Sequence, residues 1–149
     1  MKKILFLLPI LAICACNKMQ TYTVGQDAFC AGLEENSSDT VFCVDKQGQP
    51  INGIVKQYFE NGNIWREMTI KDGLENGTER EYYENGKLHV VANVVNGKTD
   101  GESKLYKEDG KLHMEIDWDQ GNVKGIKRYD ENGKVIEKLD MHDGNIVIE

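Results

Sequence analysis

The sequence predicts an all-β protein, an elongated antiparallel sheet built from repeated β-hairpins. Three observations carry this. "YFENGNIW" begins at Tyr58, "YYENGKLH" at Tyr82, "YKEDGKLH" at Tyr106 and "YDENGKVI" at Tyr129, in steps of 24, 24 and 23 residues. A second turn signal follows in the same steps, at Asp72-Gly73, Asn96-Gly97, Gln120-Gly121 and Asp143-Gly144. A lone glycine opens each unit at Gly53, Gly77, Gly101 and Gly125, in steps of 24 throughout. Three markers in phase define a repeat. The fourth unit is one residue short between Gly125 and Tyr129.

Within a unit the order is a short strand, a turn, a longer strand and a second turn. The first turns are Asn61-Gly62, Asn85-Gly86, Asp109-Gly110 and Asn132-Gly133, because glycine accepts the positive φ that tight hairpins require. The longer strands alternate with period two: Ile64, Met68 and Ile70, interrupted by Arg66; Leu88, Val90, Ala92 and Val94; Leu112, Met114, Ile116 and Trp118; Val135, Leu139 and Met141. A 3.6 period does not fit, and a glycine turn every dozen residues or so would break any helix. Such units hold one another up through their neighbours. The register stays open. A two-residue type I′ turn at Asn85-Gly86 sets Tyr82 opposite His89, whereas a three-residue loop with a glycine bulge sets it opposite Leu88 and on the apolar face. The same choice holds for Tyr58 and Tyr106.

The pattern of glycine, four residues, Tyr, two residues and Asn-Gly, with a glycine turn behind it, resembles variant MORN repeats (membrane occupation and recognition nexus). The resemblance covers residues 53 to 144, with units starting near 53, 77, 101 and 125. It implies a MORN-like solenoid and points to a bacterial antitoxin-like family. The fourth unit departs from the pattern by its deletion, on which the register of Tyr129 turns. "VFCVDKQGQPINGIV" ahead of the units looks like a divergent leading hairpin with its turn at Asp45 to Gly48.

Residues 1–15 read as an export signal: Met1-Lys2-Lys3, a run that is apolar almost throughout, then polar sequence from Asn17. The run is too short to be a stable membrane span. A buried helix is the alternative, and Pro9 opposes it. "LAICACNK" resembles a bacterial lipobox with Cys16 as the lipidated residue, since Ala15 precedes it. Cys14 fits less well behind bulky Ile13. Stable anchoring takes more than one acyl chain, and such lipoproteins are usually acylated on both sulfur and nitrogen. Asn17 favours an outer-membrane address. Ordinary cleavage near Ala15 is the plain alternative. Residues 16–40 are then expected to be tether and N-terminal cap, and 41–149 the repeat domain. Export leaves Cys30 and Cys43 as a pair in an oxidising compartment. A disulfide between them would contribute about 3 kcal/mol by chain entropy.

The formal charge of −7 becomes −9 without Lys2 and Lys3, with 16 basic and 25 acidic residues remaining. An acidic body opposes binding of nucleic acid or anionic lipid through net charge. Membrane contact is then expected through the N-terminal lipid, and the partner is expected to be a protein not identified by the sequence, a toxin being one option. The candidate binding surface is an aromatic ridge of Tyr58, Trp65, Tyr82 and Tyr106 with His89 and His113. A structural tyrosine ladder is the favoured reading of the recurrence. His89 and His113 should lie about 10 Å apart, two strands away from each other, which disfavours a shared metal. Lys56, Arg80, Lys104 and Arg128 form a basic row, read as solvated positions paired with nearby Glu. "DENG" at Asp130 to Gly133 lacks the further ligands of a calcium loop. With no nucleophile elbow, phosphate loop or metalloprotease helix, the chain is expected to be no enzyme and to need no cofactor.

Three functions remain. The favoured one is a membrane-anchored scaffold that binds another protein at the bacterial cell envelope through its sheet face. The others are an antitoxin or immunity-like protein, which a neighbouring toxin gene would mark, and a glycan or lipid headgroup module, which an exposed aromatic or basic groove would mark.

Overall fold

The computed structural model describes residues 19–32, 40–142 and 145–148. Cys14, Cys16 and the Asp143-Gly144 turn lie outside them. The strands are β1 (Thr21–Thr23), β2 (Ala28–Ala31), β3 (Phe42–Asp45), β4 (Gly53–Tyr58), β5 (Ile64–Lys71), β6 (Leu74–Tyr82) and β7 (Leu88–Val95). They continue with β8 (Lys98–Thr99), β9 (Gly101–Tyr106), β10 (Leu112–Asp119), β11 (Asn122–Tyr129), β12 (Val135–His142) and β13 (Asn145–Ile148). From β4 to β13 the chain is one antiparallel meander, with β8 a short piece beside β7 ahead of β9. The hairpin repeat is therefore the architecture.

Two kinds of turn alternate along it. In the Tyr-motif turns Tyr83 N donates to Lys87 O at 2.9 Å and Gly86 N to Tyr83 O at 2.8 Å, with the same pattern at Phe59, Lys107 and Asp130. Here only the glycine has a positive φ (79° at Gly86), which makes a type I turn closed by a glycine bulge. The Asn or Asp side chain braces it, as when Asn85 Oδ1 accepts from Lys87 N at 3.0 Å. The other turns have both residues left-handed: Asp72 at 50° with Gly73 at 83°, Asn96 at 49° with Gly97 at 78°, Gln120 at 47° with Gly121 at 87°. These are two-residue type I′ turns.

The bulged turns settle the register that the sequence leaves open. Tyr58 pairs with Ile64, Tyr82 with Leu88, Tyr106 with Leu112 and Tyr129 with Val135. The deletion in the fourth unit moves the glycine and not the tyrosine. Gly125 pairs with Asp117, whereas Gly53, Gly77 and Gly101 pair with the apolar Ile70, Val94 and Trp118. A one-residue slip exchanges the faces of a strand. Arg128 accordingly pairs with Met114, and Lys127 takes its place opposite Glu115. The basic row is thus Lys56, Arg80, Lys104 and Lys127, a correction to the expected Arg128.

The expected leading hairpin is present in short form, with Gly48 N donating to Asp45 O at 3.0 Å and Val44 bridging Pro50 antiparallel. β3 pairs with β2 as well and does not extend the meander. Next to β4 lies β1, in parallel, and Gln20 O would sit 2.3 Å from any Cβ at position 53, so glycine is required there. The β2–β3 hairpin caps the first unit, burying Ala28, Val41, Cys43 and Ile51 against Val55, Met68 and Ile70. A backbone clamp fixes it: Cys43 N to Gly73 O at 2.7 Å, Gly73 N to Ile51 O at 3.0 Å and Ile51 N to Cys43 O at 3.2 Å. The disulfide joins Cys30 to Cys43 directly across the hairpin.

Candidate functional site

The sheet has two unlike faces. Cross-strand partners share a face, so the registers place Val55, Met68, Ala92, Ser103, Ile116, Ile126 and Leu139 on one of them in a single row. Its β4–β5 end is covered by the cap and fully buried. On β7 and β9 Ala92, Val94 and Ser103 are still buried, whereas Val90, Leu105, Met114, Ile116, Trp118, Ile126 and Leu139 on the same face are half-buried. Trp118 lies opposite Gly101, and its Nε1 donates to Ser103 Oγ at 2.8 Å. Small residues on β9 thus leave space beside the indole and anchor its N–H.

Between the capped end and this strip stands an acidic column. The residues that β6 directs to the apolar face are Glu75, Glu79 and Glu81, set opposite Ile70, Met68 and Arg66. Arg66 serves all three: its guanidinium hydrogen-bonds Glu79, its Nη2 lies 3.6 Å from Glu75 Oε2, and its Nε lies 3.8 Å from Glu81 Oε1. The carboxylates descend into the face, with side-chain exposures of 30% at Glu81, 13% at Glu79 and 5% at Glu75. Glu75 Oε1 is buried without a hydrogen-bond donor among the described residues, and so is Oε1 of Gln57, the cross-strand partner of Arg66. Burial, reinforced by the charge of Glu79, pushes the Glu75 carboxyl up to about 7 against the pull of Arg66. Burial and Glu79 raise Glu81 as well. Nothing in the apolar period singles out this cluster. Arg66 breaks that period visibly, and the even spacing of Glu75, Glu79 and Glu81 along β6 is the signal that places the three on one face.

The opposite face is charged and orderly. Lys56 bonds Glu67 at 2.7 Å, and Tyr82 Oη donates to Glu67 at 2.9 Å. Two repeats on, Lys104 lies 3.3 Å from Glu115 and Tyr129 Oη donates to it at 2.6 Å. Burial works to raise Glu67, but the bonds from Lys56 and Tyr82 hold it below the usual carboxylate range. The Tyr129 bond and Lys104 do the same for Glu115 against its burial. The face of the tyrosines, which the sequence leaves open, is the charged one for Tyr82 and Tyr129, whose hydroxyls bond Glu67 and Glu115. The bulged register that sets Tyr82 opposite Leu88 does not turn it to the apolar face. At the position equivalent to Glu67 and Glu115 the second unit has Val91, between Arg80 and Lys104.

The proposed aromatic ridge is divided between neighbourhoods. Trp65 packs on Phe59 with ring centroids 6.4 Å apart, and His89 stacks on Tyr83 at 4.4 Å. Tyr83 Oη in turn donates to Tyr106 O at 2.7 Å, tying adjacent units together. Tyr58 is 46% exposed, while Tyr82, Tyr106 and His113 are half-buried, with His113 Nδ1 unpartnered. Among the described residues no group of His, Cys, Asp and Glu is placed to hold a metal ion.

Comparison with known proteins places the repeats. Among solved structures, the chain is similar to the crystal structure of TarM (10% identity, TM-score 0.41, covering 83% of this chain and 21% of that one). It is also similar to accessory secretory protein 1, 2 and 3 in Streptococcus pneumoniae (11% identity, TM-score 0.24, covering 85% and 19%). The chain thus spans about a fifth of either structure's length. No curated protein matches it. The family model described as MORN repeat variant matches residues 51–72, 75–96, 99–120 and 126–143. The gap ahead of residue 126 falls where Gly125 changes face. With more than half of its residues matched in four consecutive units, the chain belongs to the MORN repeat variant family.

Proposed function

We propose that this protein is a non-enzymatic scaffold, lipid-anchored through Cys16 at the bacterial cell envelope, that binds a protein partner on its open apolar face. MORN repeats are in general modules for protein or membrane interaction. One observation supports the face: the cap buries it at β4–β5, whereas Val90, Leu105, Met114, Ile116, Trp118, Ile126 and Leu139 on the same face are only half-buried. A contiguous apolar patch rimmed by charge is the usual surface of a docking site, and aromatic residues commonly anchor one. The export signal and the lipobox-like "LAICACNK" support the anchor, with an outer-membrane address.

The test is capture from detergent-solubilised envelope, comparing the protein with Ile126→Asp and with Lys104→Ser. The expected result is a partner that Lys104→Ser retains and Ile126→Asp loses. Identical capture by all three would remove the face from the proposal. For the anchor, Cys16→Ser should abolish labelling with radioactive palmitate, and a variant that still labels would remove it.

A further inference from the structure

We infer that the partner segment is apolar along its length and carries a Lys or Arg side chain at one end, whose cationic head enters the Glu75–Glu79–Glu81 column beside Arg66. This rests on the docking face proposed above and specifies the chemistry of what docks there. The first ground is charge. Three carboxylates converge on one guanidinium, so acidic groups outnumber cations in the column and a further positive charge is attracted to it. The second is the count of donors. Glu75 is 4% exposed, and its Oε1 has no donor in the described structure. Buried acceptors are normally satisfied, and a cationic head supplies N–H donors that strengthen on a carboxylate.

The third ground is access. Exposure rises from Glu75 through Glu79 to Glu81, so a long flexible side chain meets Glu81 first and can follow the column inward. Across the next pair of strands Glu79 faces the buried Ala92 and Glu81 faces Val90, where the half-buried apolar strip begins. A ligand that satisfies both must therefore place a basic residue beside apolar ones. The strip from β6 to Ile126 crosses four strand spacings, roughly 19 Å, which an extended segment of about six residues covers. The raised carboxyls of Glu75 and Glu81 agree with a site lacking positive charge. A free polyamine would fill the column but leave the strip bare, and the proposal is accordingly for a peptide.

The experiment pans a phage-displayed library of random seven-residue peptides on the full-length protein in detergent micelles. Fluorescence anisotropy then measures the affinity of an enriched peptide made synthetically. Enriched sequences should carry Lys or Arg next to an apolar run. Replacing that residue by norleucine should weaken binding about tenfold, as should Glu81→Gln in the protein, the scale of one charge-assisted contact. The norleucine arm needs no protein variant, so a folding defect cannot mimic it. Enrichment of neutral or acidic peptides that Ile126→Asp abolishes and Glu81→Gln leaves unchanged would overturn the cationic head while keeping the docking face. Peptides indifferent to both variants, or no enrichment at all, would overturn both. Cadaverine competing as effectively as the peptide would overturn the peptide reading in favour of a small-amine site.

Discussion

Glu75 shows how a single residue can oppose the stability of the sheet that holds it. Its carboxyl is raised from 4.5 to about 7 by burial and by the charge of Glu79, only partly offset by Arg66. The folded state thus binds a proton more tightly than the unfolded one. Its contribution is most favourable below about 4.5 and declines as pH rises to about 7, by up to about 3 kcal/mol. Glu81, also raised, acts in the same direction, whereas Glu67 and Glu115, held low, lose their stabilisation as pH falls. Urea denaturation of Glu75→Gln and the parent at a series of pH values isolates the term. The variant should gain little at pH 4, and above pH 7 it should be more stable by 1–3 kcal/mol, about the scale of an uncompensated buried charge. Parallel pH profiles would contradict this. Such a cost in the free protein is consistent with a site completed by a ligand. Arg66 is visible in the sequence as a break in an apolar alternation. The three glutamates sit at even spacings along β6, so alternation puts them on one face. Which face that is cannot be read from the sequence, because the partner register of β5 shifts between Met68 and Ile70.

Among the elements, the existence of each hairpin is legible in its glycine, but the turn type is not. Asn85-Gly86 and Asn96-Gly97 are the same dipeptide, yet one closes a bulged type I turn and the other a type I′ turn. The number of residues that the flanking strands leave for the loop decides between them, and that is a tertiary property. The Lys–Glu–Tyr cluster of the charged face is likewise a property of strand pairing. It is complete around Glu67 and Glu115 and broken at Val91. Val91→Glu should let Arg80 and Lys104 pair with a carboxylate and give Tyr106 Oη an acceptor. The expected gain is about 0.5–1 kcal/mol, the scale of exposed cross-strand pairs, read as a rise in Tm that high salt diminishes. A fall in Tm would show that the valine is needed for packing.

The cap is the other element the sequence only half reveals. Its cysteines announce the disulfide, but nothing in "VFCVDKQGQP" says that the hairpin folds back over the sheet. Reduction should cost about 3 kcal/mol, and hydrogen exchange should then speed up at Val55 and Met68 under the cap more than at Ile126 in the open strip. Equal acceleration throughout would mean that the cap does not guard the first unit.

For the whole molecule, the repeat period fixes the fold class, because near-identical hairpins in series have little choice but to pair side by side. The face exposed by that arrangement could not be read from periodicity. Alternation shows that one side of each strand is apolar. Only coordinates show that burial on this face extends from the capped unit to Ala92, Val94 and Ser103 and leaves Val90, Leu105, Met114, Ile116, Trp118, Ile126 and Leu139 half-buried. Among the tyrosines, Tyr82 and Tyr129 fasten the charged face through Glu67 and Glu115, and Tyr83 ties one unit to the next. Three of the acidic residues gather around a single arginine in the column of β6.

Site-specific photo-crosslinking in living cells addresses the open face most directly. A benzoyl-phenylalanine residue is placed at Trp118 on the apolar strip in one strain and at Lys104 on the charged face in another, and the products are resolved after irradiation. The expected result is a discrete higher-mass adduct from position 118 and none from position 104. An adduct from position 104 alone would contradict the proposed docking face.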